Sequence, residues 1–161
     1  HHTTTHNTLS LHDALPILSD GGFYDVLKYT KKPFVASHSN ARSISNVARN
    51  LSDEMIKKLA ERGGLTGINF CSNFIQPTPY KEPTFTYIDD IVKHIKHIKN
   101  VGGINSIALG SDFDGISSTL ELVDGSYMQL LAEALLKNKF TYEEVEKIFY
   151  KNLLNLYKEL L

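Results

Sequence analysis

Short apolar runs alternate with longer amphipathic segments from residue 18 onward, and this alternation restricts the folds open to the chain. The apolar runs at 34–36, 65–70 and 107–109 have the length of buried strands, and apolar residues recur at helical spacing between them. Strands that alternate with helices form parallel sheets, because each helix carries the chain back to the start of the next strand. The sequence therefore predicts an α/β fold of parallel strands with flanking helices.

Capping signals predict where the helices begin. Ser52 precedes two acidic residues and has the hydroxyl that a helix amino terminus needs. Thr86 and Asp89 have capping-box spacing, as do Thr141 and Glu144, and each pair predicts a helix start. Apolar residues at helical spacing from 145 to 160 predict one continuous final helix. Two further helices are predicted over 21–29 and about 126–136.

The first seventeen residues differ from the rest of the chain. Four of the seven histidines fall within the first twelve residues, among threonines and without an apolar period. A histidine-rich leader could bind metal, but a tag, a fusion scar or translated non-coding sequence explains it better. We therefore predict that residues 1–17 are a leader outside the fold and that 18–161 form the domain.

Composition excludes several classes of protein. A length of 161 residues fits one domain, and 17 basic against 18 acidic residues argue against a nucleic-acid partner. No apolar run reaches the length of a membrane span. The single cysteine, Cys71, rules out an intrachain disulfide and fits a reducing compartment. We expect a cytoplasmic location because the sequence shows no targeting or membrane-spanning signal.

Polar residues follow the predicted strands at the edge where parallel α/β folds bind ligands. His38 comes just after the first strand and could offer a neutral imidazole to a divalent metal, or be a hydrogen-bonded core residue. Asn69 stands at the end of the second predicted strand, beside Phe70 and Cys71, and by itself indicates little. Asp112 and Asp114 follow the third strand, where they could bind metal, act as acid and base, or form a turn.

The acidic turn at Asp112 and Asp114 has two other interpretations, a calcium loop and a phosphotransferase site. A calcium loop starting at Asp112 needs a glutamate at its twelfth position, where Val123 stands, and Gly115 comes too early. An aspartyl-phosphate phosphotransferase would use Asp112 as nucleophile and Asp114 as acid. The calcium loop fails, and the phosphotransferase remains as a weaker alternative, because it also needs a later lysine and a further acidic metal site.

Arg49 lies eleven residues after His38, just before the helix that Ser52 begins. Its guanidinium could bind a substrate carboxylate through two hydrogen bonds, or pair with Asp53 at the surface. His94 and His97 have a spacing that can bind metal, but on a lysine-rich helix we expect both at the surface.

Taken together, these segments resemble the membrane dipeptidase (renal dipeptidase-like) family of zinc metallopeptidases. The resemblance runs in order from Leu18 to Leu161. The segments that carry it are Phe34-Val35-Ala36-Ser37-His38-Ser39-Asn40-Ala41-Arg42, Arg49-Asn50-Leu51-Ser52-Asp53-Glu54, Ala60-Glu61-Arg62-Gly63-Gly64-Leu65, Gly67-Ile68-Asn69-Phe70 and Gly110-Ser111-Asp112-Phe113-Asp114-Gly115.

The resemblance implies a (β/α)8 TIM-type barrel with a two-zinc site that hydrolyses dipeptides carrying a free carboxylate. His38 matches a ligand of the second zinc, and Arg49 matches the arginine that binds the substrate carboxylate. Asp112 matches the aspartate that passes a proton to the leaving amine. Asp114, His94 and His97 match structural positions. Asn152 is expected to cap or bridge rather than to react.

The departures from the family pattern define further hypotheses. Such a barrel needs about 250 residues, so we expect only its carboxyl-terminal half. The family's His-x-Asp pair, bridging glutamate and substrate-facing histidine have no counterparts here, and Ile17 stands where a second histidine ligand is expected. Val47-Ala48 replaces the usual His-Pro before Arg49. We therefore expect a truncated fragment that is inactive alone.

The alternative is a non-catalytic half-barrel that works by association. Its open sheet edges would have to be paired or covered, for example in a homo-oligomer.

Overall fold

The computed structural model describes residues 19–76 and 85–160. The predicted leader at 1–17 lies outside these ranges. So does most of the segment 76–83, whose prolines indicate a long loop. The described strands are β1 (Val35–Ala36), β2 (Leu65–Ile68), β3 (Phe85–Thr86), β4 (Ile107–Leu109) and β5 (Thr119–Leu120). The α-helices are α1 (Asp20–Tyr29), α2 (Asp53–Glu61), α3 (Ser72–Ile75), α4 (Ile88–Gly102), α5 (Met128–Lys137), α6 (Tyr142–Glu146) and α7 (Asn152–Leu160).

The central sheet consists of three parallel strands in the order β1, β2, β4. Val35 pairs with Leu65 in the first ladder, and Thr66 pairs with Ile107 in the second. The helix α2 connects β1 to β2, and α4 lies between β2 and β4. The predicted α/β fold with parallel strands and helices is confirmed.

The sheet and its two connecting helices share one hydrophobic core. All four residues of β2 are buried, as expected of the central strand of a sheet covered by helices. The two helices contact each other and present their apolar faces to the same cluster. The fully buried members from these helices include Met55, Ile56, Leu59, Ile91, Ile95 and Ile98. None of the helices in the described ranges is long and apolar enough to cross a lipid bilayer.

The predicted caps are confirmed at two helices and wrong at a third. The Ser52 hydroxyl accepts a hydrogen bond from the amide of Met55 at the start of α2. Thr141 and Glu144 form both bonds of a capping box at α6. Their partners lie within three residues, so the local sequence was enough to predict them.

The predicted capping box at Thr86 does not form. Thr86 lies in β3, where it pairs with Leu120 of the parallel strand β5. The helix α4 begins instead after Tyr87, and the Glu121 carboxylate accepts a hydrogen bond from the Ile88 amide at 2.8 Å. A long-range strand pair and a distant carboxylate therefore replace the local cap.

The carboxyl-terminal helical region differs from the predicted single helix. A π-helical segment, Lys147–Lys151, separates α6 from α7. Asn152 follows it, and its side-chain amide donates to the carbonyl oxygens of Ile104 and Ile107, both at 2.8 Å. Of the two roles expected for Asn152, capping or bridging, the structure shows the bridge, which fixes the last helix to the start of β4.

Two glycines allow the backbone after β1 to lie across the neighbouring strands. A Cβ atom on Gly67 or on Gly110 would overlap the Ser37 carbonyl oxygen. The same segment is bound to β2 by the Ser39 amide, which donates to the Gly67 carbonyl at 2.8 Å, and by the Thr66 hydroxyl, which donates to the Ser39 carbonyl at 2.7 Å. The three strand ends are thereby held close together.

We predict that Gly67→Ala lowers the free energy of unfolding by about 2 to 3 kcal/mol, because the added methyl group meets backbone that cannot move without breaking the β1–β2 register. Gly125→Ala is the matched control: nothing lies within 4 Å of its added Cβ, so a change within about 0.5 kcal/mol is expected. Urea unfolding measures both, and equal effects would contradict the prediction.

Candidate functional site

His38, Asn69 and Asp112 each follow a strand of the central sheet. His38 comes two residues after β1, Asn69 directly after β2, and Asp112 three residues after β4. Parallel strands end at the same edge, so these side chains share the edge at which ligands bind in α/β folds. Arg49 lies in the loop that follows β1.

The His38 imidazole is half-buried and bonded on one side. Its Nδ1 lies 2.8 Å from the Ser37 hydroxyl oxygen. Burial lowers the pKa of His38 below its ordinary value of 6.5, the nearby Asp112 carboxylate opposes that shift, and the Arg49 cation adds to it. When Nδ1–H donates to Ser37, the Nε2 lone pair is free to bind a metal or accept a proton.

Asp112 occupies a tight turn with a left-handed backbone. Its φ is +63°, a conformation that aspartate tolerates better than most side chains. Its carbonyl accepts from the Gly115 amide at 3.0 Å, and a Cβ on Gly115 would overlap the Asp112 carboxylate. The Asn69 side-chain amide donates to Asp112 Oδ2 at 3.1 Å. Turn geometry and one directed hydrogen bond thus position the carboxylate.

Arg49 is exposed and lies over an aromatic ring. Its guanidinium carbon is 4.6 Å from the Phe74 ring centroid. It forms no ion pair within residues 19–76 and 85–160. The alternative pairing with Asp53 is not found, because that carboxylate binds Ser43 and His97 instead. The Arg49 cation is therefore available to an anionic ligand.

Arg42 fixes the backbone on both sides of Arg49. Its guanidinium donates to the carbonyl oxygens of Asn50 at 2.8 Å and Ala48 at 3.0 Å. It also forms two bonds to the Asp20 carboxylate, at 2.7 and 2.8 Å, which raise the pKa of Arg42 and lower that of Asp20. The position of the Arg49 loop thus depends on α1.

His94 lies in the core, so its predicted surface location is wrong. Its Nδ1 accepts from the Ala41 amide at 3.1 Å, and its Nε2 bonds the Ile75 carbonyl at 3.0 Å. These partners require a neutral ring, and burial lowers the pKa of His94. His97 is partly exposed, and its Nε2 lies 2.7 Å from Asp53 Oδ1. Within the described residues, neither histidine hydrogen-bonds to His38, Arg49 or Asp112.

Two buried asparagines near the site were not singled out by the sequence analysis. Asn40 and Asn50 are 0% and 1% exposed and hydrogen-bond to backbone groups of other segments. Their only signal in the sequence is that they flank the predicted strand end and the arginine. Spacing alone does not reveal their partners.

The described residues hold fewer possible zinc ligands in one place than a complete zinc site needs. Structural and catalytic zinc sites use at least three side-chain ligands. Within the two described ranges, no group of three or more His, Cys, Asp and Glu side chains is close enough to hold a metal. His38, with a neutral imidazole and a partner on Nδ1, fits one ligand position. The described residues do not by themselves complete such a site.

The sequence and the fold both match known peptidases. Residues 9–160 match the family described as membrane dipeptidase (peptidase family M19). This chain belongs to that family. The resemblance inferred from the sequence is confirmed, and the phosphotransferase alternative gains no support.

Similar proteins agree with the M19 assignment. An uncharacterized protein from the pqqA 5′ region of Klebsiella pneumoniae is 30% identical over 152 residues, covering 94% of this chain and 56% of that protein. An uncharacterized dipeptidase of Schizosaccharomyces pombe is 32% identical over 155 residues, covering 95% of this chain and 36% of its own length. This M19 chain therefore spans only about a third to a half of these relatives.

The fold of this chain is also similar to solved metallopeptidase structures. The metallopeptidase of Rhodobacter sphaeroides, liganded with a phosphinate mimic of the dipeptide L-Ala-D-Ala, superposes with a TM-score of 0.82 at 26% identity. The match covers 89% of this chain and 40% of that one. A dipeptidase described as a metallopeptidase of family M19 superposes with a TM-score of 0.81 at 26% identity, and the match covers 88% of this chain and 41% of that one. The arrangement of strands and helices described above is therefore similar to that of an M19 dipeptidase.

We predict opposite effects of two substitutions on His38. Asp112→Asn removes the carboxylate that favours the imidazolium and lowers the pKa of His38, whereas Arg49→Met removes a repelling cation and raises it. NMR titration of the imidazole in the metal-free protein measures both. Asp114→Asn, in the same turn but exposed, is the control and should change this pKa least. Shifts of the same sign would contradict the geometry.

We also predict that the free energy of unfolding falls as pH decreases below about 6.5. Burial lowers the pKa of His94 in the folded state, so acid protonates this histidine first in the unfolded state and thereby favours unfolding. His94→Asn keeps an acceptor for the Ala41 amide and removes the titration. It should be less stable at neutral pH but less sensitive to acid. Urea unfolding at several pH values provides the test, and an unchanged pH dependence would contradict this role.

Proposed function

We propose that this chain forms the carboxyl-terminal half of a (β/α)8 barrel in a zinc-dependent dipeptidase. The observation that carries the proposal is that His38 and Asp112 follow strands of one parallel sheet at its carboxyl edge, with Arg49 in the loop that follows β1. Membership of the M19 family and likeness to a structure bound to a dipeptide mimic support it.

His38 is the proposed zinc ligand. Its neutral imidazole and the Ser37 hydroxyl on Nδ1 give the arrangement in which Nε2 binds a metal. Zinc supplies Lewis-acid polarisation of a carbonyl and activation of water at neutral pH. His38 would belong to the second zinc; the other ligands of that ion, and those of the first, are proposed to come from residues that this sequence does not contain.

Arg49 is proposed to bind the free carboxylate of the substrate. A guanidinium presents two parallel N–H groups to a carboxylate, so it fixes the orientation of the substrate as well as attracting its charge. The stack on Phe74 restricts the guanidinium, and no acidic side chain of the described ranges competes for it. A dipeptide would thereby be held by its end, with its peptide bond directed toward the strand ends.

Asp112 is proposed to transfer the proton. As a carboxylate it accepts a proton from the attacking water, and as a carboxylic acid it donates that proton to the departing amine. The Asn69 amide holds one of its oxygens, which leaves the other for the reacting groups. Scission of the peptide bond then ends with a neutral amine and a carboxylic product.

A non-catalytic module that binds a partner is the second candidate. Within the described residues, β1 and β4 each pair on one side only, which leaves two strand edges for another chain to cover. A second copy of this chain would be one such partner. This candidate predicts association without hydrolysis.

The first test is hydrolysis of L-Ala-D-Ala and L-Ala-L-Ala with and without added zinc. The 161-residue chain is expected to be inactive, because its described residues do not complete a zinc site. Extending the reading frame upstream of the codons for 16–19 should restore zinc-dependent hydrolysis. Sedimentation of the printed chain tests the second candidate, which requires a dimer or larger assembly.

In the active protein, Asp112→Asn should lower kcat by about 10²- to 10⁴-fold. Arg49→Met should raise KM and reduce the preference for a free over an amidated dipeptide. Asp114→Asn and Lys137→Met are the matched controls for loss of an exposed carboxylate and an exposed cation. Undiminished hydrolysis by Asp112→Asn, or no hydrolysis by the extended protein with zinc, would refute the proposal.

A further inference from the structure

Three buried asparagines form an unbroken series of hydrogen bonds between the Arg49 loop and the Asp112 turn. Asn50, Asn40 and Asn69 are at most 1% exposed, and each bonds to the next. The series ends on the Asp112 carboxylate at 3.1 Å. It therefore links the two charged groups that have separate roles in the proposed reaction.

Asn40 joins the loop to the end of β2. Its Oδ1 accepts from the Asn69 backbone amide at 3.0 Å, and its Nδ2 donates to the Asn69 carbonyl at 3.0 Å. This side-chain amide thus pairs with a backbone residue as a neighbouring strand would. Its own backbone amide donates to Asn50 Oδ1 at 3.2 Å.

The side-chain amide of Asn69 is held in one orientation by hydrogen bonds at both ends. Its Oδ1 accepts from the Cys71 amide at 2.7 Å, so its Nδ2 must face the Asp112 carboxylate. The Asn69 side chain is 0% exposed, so rotating it would break both bonds and leave buried polar atoms unpaired, which is costly. The direction in which Asn69 donates is therefore fixed by the backbone that follows β2.

Asn50 controls the other end of the series. Its Nδ2 donates to the carbonyl oxygens of Ser45 and Phe74, both at 2.8 Å. Asn50 is the residue next to Arg49, and Phe74 carries the ring on which the Arg49 guanidinium lies. The Asn50 side chain thus holds both the loop that bears Arg49 and the backbone of Phe74, the residue on which the guanidinium lies.

We propose that Asn50, Asn40 and Asn69 are positioning residues that keep the Arg49 guanidinium and the Asp112 carboxylate at a fixed separation. The roles of those two groups rest on the proposed function; the mechanical connection does not. A fixed separation holds the carboxylate end of a substrate and its scissile bond in register, and so favours substrates of dipeptide length.

The connection is tested by NMR on the chain itself, with one reporter at each end. The Gly115 amide, which donates to the Asp112 carbonyl, reports on the turn. The Arg49 side-chain protons, shifted by the Phe74 ring current, report on the stack. Asn69→Ala should move the first signal, Asn50→Ala the second, and Asn40→Ala both.

Asn152→Ala is the matched control, because it also removes a buried amide that donates two hydrogen bonds to backbone carbonyls, but at the opposite end of β4. It should move neither reporter. If an alanine variant does not fold, the aspartate variant at the same position keeps the acceptor and removes the donor. Unmoved reporters in Asn40→Ala, or equal movement in the control, would overturn the proposal.

Kinetics of the hydrolysing protein separate the two proposals. Asn69→Ala should lower kcat and Asn50→Ala should raise KM, each by about 10- to 100-fold, the cost of small misplacements at a reacting centre. Asn40→Ala should change both. Effects no different from Asn152→Ala would refute the positioning role, whereas full activity in Asp112→Asn would refute the proposed function and leave the NMR result to decide the connection.

Discussion

The Ser37 carbonyl group lies where side chains of residues 67 and 110 would otherwise stand, and the geometry of the strand ends follows from this contact. Because both positions are glycine, the backbone leaving β1 can cross close to β2 and β4. The next residue, His38, is thereby brought toward Asp112. A site made of residues 38, 69 and 112 thus requires glycine at positions 67 and 110 as much as it requires the polar groups themselves.

The geometry of the site is set by buried polar groups rather than by the apolar core. The core brings helices and sheet together through burial that has little directional preference. The asparagine amides, by contrast, bind backbone groups at set distances and angles, and all three are satisfied. Fold stability and site geometry therefore have different physical origins in this M19 chain.

Features whose partners are close in sequence were predictable. The Ser52 cap and the Thr141–Glu144 box depend on residues three apart, and parallel strands follow from alternation. Thr86 was assigned wrongly because β5 and Glu121 reach it from more than thirty positions away. His94 was placed at the surface because nothing in its helix indicates that Ala41 and Ile75 enclose it. Asn40 and Asn50 were missed for the same reason.

The register of the sheet also determines when the site can form. Partners in the two ladders are about 30 and 40 residues apart, so loop closure over a whole helix precedes each pairing. The bond from Asn69 to Asp112 needs β4 beside β2, and the bonds from Asn40 need β1 there as well. The strand-end edge consequently requires all three strands to be paired, and chains with only local helices formed have no site at all.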